Sequence, residues 1–105
     1  MSLKKDFGQR LKEIRVKKGI TQFQLAEQVG IDAKHMSHIE TGRSFPKADL
    51  IEKFSFVLEV DYNEFFNTEH FKGRENILDS LNKILQNAGD EELKRIYRLI
   101  INLLY

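Results

Sequence analysis

The chain has 105 residues, 41% hydrophobic and 31% charged, with no cysteine, a composition suited to one soluble globular domain with at most a helical extension. No disulfide framework or thiolate metal site is available, no run of about 18 apolar residues spans a bilayer, and residues 1–6 lack the apolar stretch of a secretory signal, so the expected location is cytoplasmic. The net charge is only +1, but residues 1–47 carry ten basic against five acidic side chains, residues 48–67 one against five and the rest six against six, which gathers positive charge at one end as a footprint on DNA requires.

Leu3, Phe7, Leu11 and Ile14 recur every three or four residues and Gly19 follows, which predicts a helix over Leu3–Lys18. Its outer face is basic, and Lys17 and Lys18 complement the dipole of its last turn within reach of a phosphate. Gly8 costs about 1 kcal/mol relative to alanine in a helix interior, which leaves two readings: close backbone packing at that point, or a later helix start.

The stretch Thr21–Gly42, TQFQLAEQVGIDAKHMSHIETG, reads as two short helices joined by a tight turn. Thr21 and Gln24 match a capping box, Gly30 supplies a left-handed stop, Asp32 caps the second helix and Gly42 ends it. Leu25, Ala26 and Val29 share one face of the first helix, Met36 and Ile39 one face of the second, and Ile31 lies at the turn. Outward on the second helix remain Ala33, Lys34, Ser37 and His38, groups suited to base edges in a major groove. Lys34 matches guanine O6 and N7, Ala33 a thymine methyl, Ser37 a donor or acceptor, and His38 an acceptor on a base or phosphate; His35 is more lateral. Gln22 sits in the first turn of the preceding helix, where free N–H groups and the positive dipole end favour a phosphate. Arg43, Ser44 and Lys47, beyond the reading helix, are expected to hold phosphates without reading bases.

Catalytic and metal readings of the same stretch fail on geometry. His35 and His38 lie one turn apart without a third ligand near them in sequence, so no metal is expected. Ser37 and His38 are adjacent on one helix and point about 100° apart, which spoils proton transfer in any relay with Glu40. No glycine-rich phosphate loop or carboxylate pair occurs either, so neither an enzyme activity nor a cofactor is expected.

Pro46 sets the entry to a helix over Lys47–Leu58, whose Leu50, Ile51, Phe54, Val57 and Leu58 form a broad apolar face. Phe56 lies off that stripe, as satellite packing or as part of a contact surface. Asp61 and Glu64 have capping-box spacing for a short fifth helix ending near Asn67, with Tyr62, Phe65 and Phe66 closing the bundle.

The spacing T-Q-x-x-L-A-x-x-x-G-I-D-x-x-x-M-S-x-I-E-x-G resembles the Cro and phage-repressor type of helix-turn-helix domain, the XRE family. The likeness runs from about Phe7 to Phe66 and takes in Arg10, Leu11, Thr21, Gln22, Leu25, Ala26, Ser37, Ile39, Glu40, Gly42, Pro46, Val60, Asp61, Tyr62, Glu64, Phe65 and Phe66. It implies an all-α, five-helix repressor-like bundle that binds double-stranded DNA, and it implies that Arg15 of the first helix pairs with Glu40 at the end of the reading helix. Phe23 departs from the pattern, which usually has a polar residue there, so the outer face of that helix is expected to be partly covered.

The resemblance does not extend past His70. Thr68–Gly73 reads as a connector, Arg74–Asn87 as a helix with Ile77, Leu78, Leu81, Ile84 and Leu85 at helical spacing, and Gly89 as a break before a last helix capped by Asp90. The chain thus divides into a DNA-binding domain, residues 1–68, and a C-terminal two-helix hairpin, residues 69–105. The last helix carries Leu93, Ile96, Tyr97, Ile100 and Leu104 in one stripe, with Leu99, Ile101, Leu103 and Tyr105 widening it. A helix apolar on most sides must be covered on most sides, so the hairpin is expected to pair with its copy in a homodimer through Leu93, Ile96, Tyr97, Leu99, Ile100, Ile101, Leu103 and Leu104. The expectation is a transcriptional regulator, a repressor reading an inverted repeat. The alternative is an antitoxin or antirepressor whose tail binds a different protein.

Overall fold

In the computed structural model, which describes residues 2–105, helix α1 (Leu3–Lys17) starts at Ser2, whose hydroxyl accepts the Lys5 N–H. Helices α2 (Gln22–Val29), α3 (Ala33–Glu40) and α4 (Ala48–Leu58) follow, then a 3-10 helix, Tyr62–Phe66. Their apolar faces meet in one core: Phe7, Leu11 and Ile14 of α1, Leu25, Ala26 and Val29 of α2, Met36 and Ile39 of α3, Phe54 and Leu58 of α4, and Phe65. Phe7 is central to it, with ring centroids 5.1 Å from Phe45, 5.6 Å from Phe65 and 5.5 Å from Phe66. Fully burying a ring such as Phe7 or Phe65 contributes about 1.5–3 kcal/mol. This is the five-helix repressor-type bundle, with no strand among the described residues.

Gly8 resolves in favour of close packing. It lies inside α1, and a Cβ there would overlap the Ile39 carbonyl oxygen and come within 2.7 Å of that of Glu40. The missing side chain lets α1 settle against the backbone that ends α3. Gly8→Ala is therefore expected to destabilise the fold by about 1–3 kcal/mol through overpacking, although alanine is the better helix former. Urea denaturation measures this, and a gain in stability would contradict the packing account.

The fifth helix differs from its sequence reading. The Asp61 carboxylate accepts the Asn63 N–H at 3.0 Å, and the Glu64 N–H bonds to the Asp61 carbonyl at 2.9 Å. Glu64 does not reach back to complete a capping box, because Arg10 takes both its carboxylate, at 3.1 Å, and its carbonyl, at 2.8 Å. The turn stays tight and 3-10, and the bond ties α1 to the end of the bundle. Phe56 lies 86% exposed on α4 and Phe23 67% exposed on α2, so neither is covered within this chain.

The chain divides into two units, the first ending at Thr68 and the second spanning Glu69–Tyr105. The second opens with a 3-10 turn, Glu69–Phe71, inside the stretch read as a plain connector. Hydrogen bonds from Lys72 and Ser80 hold the Glu69 carboxyl below its ordinary range. Helices α5 (Arg74–Asn87) and α6 (Asp90–Leu104) follow in the order expected of the hairpin. Gly89 rather than Asp90 is the cap residue of α6, and its N–H donates to Glu92 Oε1 at 3.3 Å. Neither helix has a buried residue. Among the described residues no helix is long and apolar enough to cross a membrane.

Candidate nucleic-acid interface

The α2–turn–α3 unit is built by local bonds. Thr21 Oγ1 accepts the Gln24 N–H at 3.1 Å while Gln24 Oε1 accepts the Thr21 N–H at 2.9 Å, the reciprocal box that starts α2. Gly30 at φ +80° ends it, and Ile31 folds back through its N–H to the Ala26 carbonyl at 3.0 Å. Asp32 then caps α3 by accepting the His35 N–H at 2.7 Å. Gly42, also at φ +80°, turns the chain past Lys5, whose Cα would lie 2.8 Å from a Cβ at this position. Glycine meets both demands at once.

Met36 and Ile39 anchor α3 in the core, fully buried. Ala33, Lys34 and His35 lie exposed at its N-terminal end, and Ser37 and His38 are half-buried one turn later. With four residues between partners, Ala33 and Ser37 form one column and Lys34 and His38 the adjacent one. Lys34 makes no ion pair among the described residues and is free to donate.

Behind α3 lies a buried network. Arg15 Nε donates to Glu40 Oε2 at 2.7 Å and Arg15 Nη2 to Oε1 at 3.1 Å, a bidentate pair with both residues 8% exposed. Arg15 Nη1 donates to the Ile20 carbonyl at 2.9 Å, and Gln22 Nε2 donates to Glu40 Oε1 at 3.0 Å. The network joins α1, the α1–α2 turn, the first residue of α2 and the last of α3. Nothing in the local spacing announces the Gln22 bond, since its partner is 18 residues away. With Glu40 so engaged, it is no third member of a relay with Ser37 and His38.

Beyond α3, Arg43 and Lys47 are exposed. Ser44 is placed differently from the surface phosphate contact expected of it. The His38 carbonyl takes the N–H groups of Arg43, at 2.8 Å, and Ser44, at 3.2 Å, which folds the loop under α3. The Ser44 Oγ is thereby enclosed, with no hydrogen-bond partner among the described residues. Gln22, half-buried, divides its side chain between the network and the surface.

The interface residues of the expected dimer stay open in the single chain. Tyr97, Leu99, Leu103 and Leu104 are each at least two-thirds exposed, Leu93 and Ile100 about two-fifths, and Ile96 and Ile101 intermediate. Leu93, Lys94, Ile96, Tyr97, Arg98 and Ile100 of α6, with Leu85 of α5, line a mostly apolar groove of about 430 Å³.

Residues 8–70 match a family model described as a helix-turn-helix domain. The HTH-type transcriptional regulator SinR of Bacillus subtilis is 34% identical over 74 residues, 70% of this chain and 67% of that protein. The restriction-modification controller protein C.AhdI from Aeromonas hydrophila is similar in structure, with a TM-score of 0.56 at 33% identity over 58% of this chain and 92% of its own. A SinR–SinI protein complex contains a chain of the same fold, TM-score 0.57 at 24% identity, covering 89% of this chain and 92% of that one.

Proposed function

The chain belongs to the helix-turn-helix domain family, and we propose that within it this protein is a DNA-binding transcriptional regulator that grips an inverted repeat as a homodimer and represses by occluding a promoter. The observation that carries the reading is the free edge of α3. Lys34 and Ala33 stand exposed at the N-terminal end of a helix whose opposite side is fully buried and whose last residue is locked to α1. That geometry lets the helix tip enter a major groove while the scaffold stays rigid. Gln22, Arg43 and Lys47 supply contacts to the flanking phosphates, and the wide apolar face of α6 supplies the twofold.

Selection of bound duplexes from a random pool tests the reading, with an enriched palindrome as the expected result and no enrichment as the result against it. On the selected site, Lys34→Ala is expected to cost about 1–3 kcal/mol and to relax base preference at one position of each half-site. Lys47→Ala should weaken all sequences alike and reduce the salt slope by about one. A uniform loss for Lys34→Ala would move that residue from the bases to the backbone.

The exposed α6 face also favours a second reading, in which the tail binds a different protein and DNA binding is secondary, as in an antitoxin or antirepressor. Size-exclusion chromatography with light scattering separates the two. A dimer of the chain alone supports the first reading, and a monomer that stays monomeric at high concentration supports the second.

A further inference from the structure

We propose that the groove lined by α6 and Leu85 binds a free monocarboxylate with a medium-length acyl chain, and that this ligand competes with the second copy for α6 and so loosens the grip on DNA. The regulatory half of this rests on the homodimer reading above. The groove offers Leu85, Leu93, Ile96 and Ile100 to an apolar chain, and its volume of about 430 Å³ falls within the range of about 300–1,000 Å³ typical of small-molecule sites. Such sites are mostly apolar and carry a few polar groups that fix the ligand's orientation. Here those groups are cationic: the charged residues of the lining are Lys94 and Arg98, with no carboxylate beside them.

Lys94 and Arg98 are four residues apart on α6, so they share one side of the helix. Arg98 makes no ion pair among the described residues. Lys94 reaches only Glu91, at 3.5 Å with both side chains largely exposed, a pairing weak enough to yield to a better acceptor. The interface residues that a second copy would bring to this face are leucines, isoleucines and Tyr97, none of them charged. A second copy therefore satisfies the apolar floor and leaves the two cations unmatched, whereas an acyl carboxylate satisfies both. Because Leu93, Ile96, Tyr97 and Ile100 are also expected to meet that second copy, a chain lying on them excludes it, and by linkage the dimer weakens the ligand by the same factor.

Octanoate, decanoate and dodecanoate, each below its micelle concentration, would be titrated into the nitrogen-labelled full chain. Saturable shifts are expected at Leu85 and along Leu93–Ile100, with affinity rising about 2- to 4-fold per added methylene until the groove is full. Lys94→Gln and Arg98→Gln, both at exposed positions, should each weaken decanoate about 2- to 5-fold, and octan-1-ol should bind more weakly than octanoate. Light scattering through the same titration should show dimer giving way to monomer. Absence of saturable shifts would overturn the proposal, as would affinities that ignore both substitutions. A dimer that saturating ligand leaves undisturbed would also overturn it, and would give the groove to the second copy alone. A chain already monomeric before any ligand is added would instead sink the homodimer reading, and the shifts and substitutions would then decide the binding site without it.

Discussion

Glu40→Ala is expected to lower stability by about 3–5 kcal/mol, because removing one partner of a buried ion pair strands the other charge. Here the loss is three hydrogen bonds to two partners. Arg15 would keep its bond to the Ile20 carbonyl but lose two bonds to the carboxylate, and the half-buried Gln22 amide would lose its acceptor. A domain of this size shifts its melting temperature by about 4–8 °C per kcal/mol, so a fall of at least about 12 °C is expected. The effect should persist in high salt, since the Glu40 side chain is only 3% exposed and screening acts weakly on buried pairs. Replacing Arg15 and Glu40 together by Met and Leu should recover part of the loss but not all of it, because Ile20 and Gln22 would still lack their partners. An unchanged melting temperature for Glu40→Ala would show that the pair holds nothing together.

The parts of this fold that a reader of the sequence can see are those written within four residues. The Thr21–Gln24 box, the Asp32 cap, and the left-handed glycines at positions 30 and 42 are each encoded by a residue type at a fixed offset, and each forms. The stripes Phe7, Leu11, Ile14 and Leu25, Ala26, Val29 point inward for the same reason. Expectations miss where a distant group competes for a local one. Asp61 and Glu64 have capping-box spacing, but Arg10, 54 residues away, claims the glutamate. Ser44 looks like a surface hydroxyl until the loop folds onto the His38 carbonyl. Gly8 has two readings in sequence, and only the approach of the Ile39 and Glu40 carbonyls decides between them. Glu59 ends α4 in the left-handed region at φ 55° with no glycine to signal it. The Arg15–Glu40 contact spans 25 residues; periodicity does not contain it, and the family resemblance alone suggested it.

A chain ending at Phe71 is expected to fold and yet to bind its selected palindrome about 100- to 10,000-fold more weakly than the full chain, the range over which linking two sites raises avidity. The fold should survive because the first unit contains every buried apolar residue among the described residues, Phe7 through Phe65. The affinity should not. An α3 of eight residues is about 12 Å long and meets only a few base pairs, while two copies related by a twofold reach half-sites about 34 Å apart. What would hold two copies together is the second unit. Its helices fully bury no residue by themselves, and Leu99, Leu103 and Leu104 of α6 and Leu78, Leu81 and Ile84 of α5 are all apolar and at least two-fifths exposed. An isolated helical hairpin with so much open apolar surface lacks the burial to offset its own ordering, and a second copy would supply it. Ile100→Glu should reproduce the truncation in the full-length chain by placing a charge in that surface, with a monomer by light scattering and the same weakened binding. Operator affinity left intact in both variants would mean that one reading helix suffices, and that the tail serves a partner other than its own copy.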